Sequence, residues 1–67
     1  MNVGSKLREL RGNQRKRAVA KAVGVSESAY VKYERGERVP RDDDKVRIAS
    51  YFNKTVQEIF FDQLEHK

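Results

Sequence analysis

An all-α domain of five short helices is the fold this sequence predicts, on three observations. Apolar residues recur at helical spacing in each candidate segment, a glycine or a capping residue stands at most boundaries, and no stretch alternates as a half-buried strand does. The sequence also lacks internal repeats, low-complexity tracts and any proline- or glycine-rich run that could act as a linker. Residues 1–67 therefore read as one compact domain.

Taken in order, Val3, Leu7 and Leu10 form one stripe of a first helix that Gly12 and Asn13 end. A second helix is expected from about Arg15 to Val23, with Val19, Ala20 and Val23 inward and Gly24 able to turn left-handed just past its end. Ser26 caps a third helix that runs to about Arg35 and stops at Gly36. Only a tight turn of three or four residues separates the second and third helices, the length of a helix-turn-helix link rather than of an antiparallel hairpin. Pro40, in the loop Glu37 to Arg41, blocks helix continuation, and Asp42, Asp43 and Asp44 then favour a new helix start, where the macrodipole is positive. That fourth helix is expected to bury Val46, Ile48, Ala49 and Phe52 in some combination and to break near Asn53. Thr55 and Glu58 have the spacing of a capping box, which opens a fifth helix with Val56, Ile59 and Phe60 inward.

Several function classes are excluded by composition. With no cysteine and a single histidine, His66, neither disulfides nor a zinc site can hold so short a chain, which must depend on helix packing or self-association. Absence of cysteine and of a signal-like amino terminus leads to the expectation of a cytoplasmic protein. No run approaches the ~20 apolar residues that span a bilayer, so no membrane role is expected. No enzyme is expected either, since the sequence has no glycine-rich phosphate loop, no metal-ligand spacing and no nucleophile-base pattern. The three aspartates lack the alternating ligands and closing glutamate of a calcium loop. Cofactors, metals and small-molecule ligands are therefore not anticipated.

Charge is more informative in its distribution than in its total of +5. Residues 1–41 carry eleven Lys and Arg against four acids, whereas residues 42–67 carry four against six. Such polarity suits a polyanion on one face and a partner on another, although a merely solubilising surface would have a similar composition. The helix-turn-helix segment supplies the missing geometry. Ala20 allows the two helices to cross closely, Gly24 accepts a positive φ, and Val25 fills the space between them. With Tyr30 and Tyr33 facing inward, Glu27, Ser28, Val31, Lys32 and Arg35 share the opposite face of the third helix, which would lie in a major groove.

Residues 5–61 resemble the phage-repressor helix-turn-helix family, the Cro/C1 type also called the Xre family. The resemblance rests on the run Ala-Lys-Ala-Val-Gly-Val-Ser at 20–26, on Tyr-Glu-Arg-Gly at 33–36 followed by Val39 and Pro40, and on Ile48 and Ala49. It implies the compact five-helix, lambda-repressor-like DNA-binding fold with its helix-turn-helix at helices two and three. It further implies binding to double-stranded operator DNA as a homodimer on a palindrome, with half-sites about one helical turn apart.

By position, Glu27, Ser28 and Lys32 match the family's base-reading sites, with Val31 beside them. Lys32 can donate to guanine, Glu27 can accept from cytosine, Ser28 can pair with several bases, and Val31 can meet a thymine methyl. Lys16 stands where the family commonly has a phosphate-holding glutamine, and Arg15 replaces the usual hydroxyl cap. Three cations, Arg15, Lys16 and Arg17, thus crowd a helix amino terminus that disfavours positive charge, which points to phosphate neutralisation over a solvated face. Arg35, Arg38 and Arg41 match the region after the recognition helix that meets the same DNA backbone and adds affinity without discrimination. Arg11 and Glu34 match positions that pair across the first and third helices; the alternative is two independent surface charges.

A competing reading is a helix-turn-helix module that binds protein, as an antitoxin or antirepressor does. The basic amino-terminal surface argues against it, as does the short stretch after Phe61, which leaves little for a separate toxin-binding segment. Phe60 and Phe61 are adjacent, so one helix can hardly bury both, and Leu64 extends the apolar stripe. Phe60, Phe61 and Leu64 are the expected dimer contacts; the alternative is that they close the bottom of a small core.

Overall fold

A computed structural model of the chain describes residues 3–61. Among these residues the chain forms four α-helices, α1 (Val3–Arg11), α2 (Lys16–Val23), α3 (Glu27–Arg35) and α4 (Asp42–Tyr51), followed by one π-helical turn, α5 (Gln57–Phe61). No strand occurs among the described residues.

Local chemistry accounts for the boundaries. Gly24 adopts φ 97° and Gly36 φ 77°, closing α2 and α3 with left-handed caps whose N–H groups donate back to Ala20 and to Lys32 and Tyr33. The Ser26 hydroxyl accepts from the Ala29 N–H at 3.0 Å and opens α3. Thr55 and Glu58 form the reciprocal capping box: the Thr55 N–H donates to the Glu58 carboxylate at 2.8 Å, and the Glu58 N–H donates to the Thr55 hydroxyl at 3.0 Å.

One core joins all five elements. Leu7 of α1, Val19, Ala20 and Val23 of α2, Tyr30 and Tyr33 of α3, Ile48 and Ala49 of α4, and Ile59 and Phe60 of α5 are buried together. Val3, Leu10, Val25, Ala29, Phe52 and Val56 pack around them. Helix α3 lies against α1 and α2, α4 lies against α2, and α5 closes the molecule against α1. Each fully buried apolar side chain contributes about 1.5–3 kcal/mol, and α3 is seated on this core through Tyr30 and Tyr33.

Of the four α4 residues expected to be buried in some combination, Ile48 and Ala49 are buried and Phe52 packs against the core, while Val46 is 58% exposed. The expected fifth helix is present as a π-helical turn, with Ile59 and Phe60 buried. Successive residues of a π turn are separated by a smaller angle, which brings the neighbours Ile59 and Phe60 into one core.

Helix α1 meets α3 at Gly4. A Cβ there would lie 2.8 Å from the Glu34 carbonyl carbon and 3.2 Å from the Tyr33 oxygen, so only glycine permits this approach.

Candidate nucleic-acid interface

The outer face of α3 follows from what the inner face buries. With Tyr30, Tyr33 and Glu34 committed to the interior, Ser28, Lys32 and Arg35 are exposed and Val31 is half-buried between them. Glu27 is exposed at the first turn of α3, where its carboxylate accepts from Arg17 Nε at 3.4 Å. A candidate base-reading residue and a candidate phosphate-binding residue thus face each other across the helix-turn-helix. The pair is open to water at both ends, so it adds little stability.

Helix α2 starts without a side-chain cap. Arg15 occupies the N-cap position in extended conformation, makes no capping hydrogen bond, and no acid stands in the first turn. Arg15, Lys16 and Arg17 are all exposed there. Beyond α3, Arg35 lies 3.9 Å from Glu37, and Arg38 and Arg41 are exposed on the loop that leads to α4.

Helix α3 is fixed from behind by an ion pair. Arg11 donates from Nε to Glu34 Oε2 at 2.6 Å and from Nη2 to Oε1 at 3.1 Å, while its Nη1 donates to the Gln14 carbonyl at 2.8 Å. The Glu34 side chain is only 3% exposed, and these hydrogen bonds hold the Arg11 guanidinium pKa above its ordinary value. The expected pairing of the first and third helices is therefore present. Arg8 adds a longer contact to the Glu34 carbonyl at 3.4 Å. Beside this pair the Tyr30 hydroxyl is buried without a hydrogen bond, and burial is the main reason its pKa is pushed far up, with Glu34 adding to the effect.

Sequence reasoning missed a second fixation. The Tyr33 hydroxyl donates to Asp44 Oδ2 at 3.2 Å, and Arg47 Nη1 donates to Asp44 Oδ1 at 3.3 Å, tying α3 to α4. Burial, and then Asp44, raise the Tyr33 pKa. The three aspartates look alike in sequence, and nothing local distinguishes Asp44 from its neighbours. Likewise, the Tyr51 hydroxyl donates to the Gln14 side-chain oxygen and closes the end of α4 on the α1–α2 loop.

Of the expected pairing residues, Phe60 is 6% exposed and belongs to the core, which removes it from the surface open to a second copy. Phe61 is 40% exposed, with the Lys45 ammonium 5.1 Å from its ring centroid. Leu64 lies outside the described residues.

The helix-turn-helix family matches residues 5–59. The chain belongs to the helix-turn-helix family. Its fold is that of the phage-repressor-like, Cro/C1-type members which the sequence resembles. Two solved structures are similar. The crystal structure of the P22 c2 repressor in complex with the synthetic operator 9T has a TM-score of 0.87 and 24% identity, covering 91% of this chain and 96% of that one. The solution structure of the DNA-binding domain of the P22 c2 repressor gives a TM-score of 0.82, also at 24% identity, covering 88% of this chain and 80% of that one. At this identity the likeness is one of fold. No curated protein matches the sequence. As a helix-turn-helix member the chain uses α2 and α3 as the motif, and among the described residues no helix is long and apolar enough to cross a membrane.

Proposed function

We propose that this chain is a sequence-specific DNA-binding transcriptional regulator, a repressor of the Cro/C1 type that binds a palindromic operator as a homodimer with α3 in the major groove. The observation that carries this reading is the exposed face of α3. Ser28, Val31 and Lys32 share that face, cations flank it at the start of α2 and on the loop after α3, and the Arg11–Glu34 pair fixes it from behind. The P22 c2 repressor, similar in fold, is described in complex with operator DNA.

Within this reading Lys32 donates to guanine, Ser28 hydrogen-bonds a neighbouring base, Val31 packs on a thymine methyl, and Glu27 exchanges Arg17 for a cytosine amine. Arg15, Lys16 and Arg17 take phosphates on one side of the groove; Arg35, Arg38 and Arg41 take them on the other. Six phosphates per half-site correspond to a slope of about −5 in log affinity against log salt. Phe61 carries the pairing of two copies.

Selection of bound duplexes from a random pool at two salt concentrations, with Lys32→Ala beside wild type, tests the proposal. The expected result is an enriched palindrome that Lys32→Ala degrades at one position of each half-site. Salt-sensitive binding without an enriched sequence would overturn operator reading and favour a protein-interaction module.

A further inference from the structure

A cavity of about 350 Å³ lies between the α2–α3 turn, the loop before α4 and the first turns of α4. Three guanidinium groups line it, Arg38 and Arg41 from the loop and Arg47 from α4. We propose that this cavity seats a backbone phosphodiester of the bound DNA and that Arg47, from the net-acidic half of the chain, is a phosphate-binding residue.

Arg47 is linked to α3 through Asp44. Its Nη1 donates to Asp44 Oδ1, and Asp44 is fixed in turn by the Tyr33 hydroxyl from the recognition helix. The guanidinium lies across the helix-turn-helix turn: a Cβ on Gly24 would stand 3.8 Å from Arg47 Nη1. A planar guanidinium has five N–H donors, and the Asp44 bond uses one, so Arg47 retains donors for a second oxygen ligand. The Arg47 side chain is 54% exposed, so these donors are open to a ligand entering from solvent.

Charge selects the ligand. Asp44 and Arg47 neutralise each other, which leaves Arg38 and Arg41 against Asp43 and a net charge of +1 around the cavity. A phosphodiester, with a single negative charge, matches that balance better than a free phosphate dianion. The Ser26 hydroxyl also lines the cavity and, while accepting from the Ala29 N–H, can still donate its own proton to a phosphate oxygen. The cavity opens beside the first turn of α3, so a phosphate seated there would fix the depth at which the recognition helix enters the groove.

This inference rests on the DNA-binding reading above. Fluorescence anisotropy with the selected duplex and a scrambled duplex, over a series of salt concentrations, tests it with wild type, Arg47→Gln and, as a control, Lys54→Gln. Arg47→Gln should weaken binding to both duplexes about equally, by roughly 5- to 10-fold at moderate salt, and make the log–log salt slope shallower by about 1, with Lys54→Gln unchanged. Circular dichroism melting monitors folding, and Arg47→Lys, which keeps the charge, should restore most of the slope.

Wild-type binding with an unaltered slope in folded Arg47→Gln would overturn the phosphate role of Arg47 and leave the DNA-binding reading standing. Preferential loss on the selected duplex would make Arg47 a base reader and overturn the proposal as well. Failure of wild type to bind any duplex would remove both readings. Titration with inorganic phosphate, followed through the Arg47 Nε–H resonance, separates the sources of the anion: saturable sub-millimolar shifts with no slope change in Arg47→Gln would assign the cavity to a free anion instead.

Discussion

Glu34 is the buried charged residue among the described residues. Its carboxylate is buried and bonded twice to Arg11, so removing it leaves a guanidinium that is mostly withdrawn from water without a counter-charge. Glu34→Ala should therefore cost about 3 kcal/mol, and Arg11→Ala should cost less when Glu34 is already absent, a coupling that a double-mutant cycle by urea unfolding measures. Tyr30 behaves in the opposite way. Its hydroxyl is buried without a hydrogen bond, so Tyr30→Phe should be neutral or stabilising by about 1 kcal/mol. The same burial sets an alkaline limit. Because the folded-state pKa of Tyr30, and of Tyr33, is raised above the ordinary value of 10.0, the folded protein binds more protons than the unfolded chain once pH exceeds that value. Stability is thus fully present below pH 10 and declines as pH rises further, and Tyr30→Phe should flatten part of that decline in pH-dependent melting.

At the level of the element, a boundary set by local chemistry was legible in sequence, and a contact set by two distant segments was not. Gly24, Gly36, Ser26 and the Thr55–Glu58 box each act within a few residues, so spacing alone revealed them. Gly4 and Asp44 act through α3, and no local pattern says that α1 must approach the Glu34 backbone or that one aspartate of three receives the Tyr33 hydroxyl. Val46 was ambiguous for a different reason: it borders the inward stripe of α4, and helical spacing alone does not say which bordering residue is left exposed. The outer face of α3 could be read because Tyr30 and Tyr33 identify its inner face. The Arg17–Glu27 contact could not, since it depends on how two helices cross. The capping box predicts a titration. Hydrogen bonds from Thr55 lower the Glu58 pKa below 4.5, so its stabilisation is present above pH 4.5 and disappears as pH falls through the lowered value. Glu58→Gln should remove that acid dependence from the melting profile. At the start of α2, which lacks a side-chain cap, Arg15→Asp supplies a cap and a favourable charge at the positive end of the dipole, and should stabilise the fold by about 1 kcal/mol. The same substitution should weaken DNA binding, and opposite signs in melting and duplex titration would reveal a helix start kept suboptimal for phosphate.

Across the whole molecule, the proposed pairing of two copies and the proposed binding to a palindrome make linked demands. Residues 1–41 hold the excess of positive charge, and the exposed Phe61 lies on α5 at the far end of the chain order. With Phe60 in the core, Phe61 is the partly exposed phenylalanine of the pair, and burial of a whole phenylalanine contributes only about 1.5–3 kcal/mol. Two such contributions fall within or below the roughly 4–15 kcal/mol lost in association, so pairing through Phe61 should be weak in free solution. A palindrome changes this balance by holding two copies on adjacent half-sites about 34 Å apart, where their effective concentration is far above the bulk value. Sedimentation should accordingly find mostly monomer at low micromolar protein and a two-to-one complex on the selected palindrome. Phe61→Ala should leave affinity for an isolated half-site unchanged while separating the single steep transition on the palindrome into two independent steps. Unaltered cooperativity in Phe61→Ala would show that any coupling between half-sites runs through the DNA or another surface, and would remove α5 from the pairing contact.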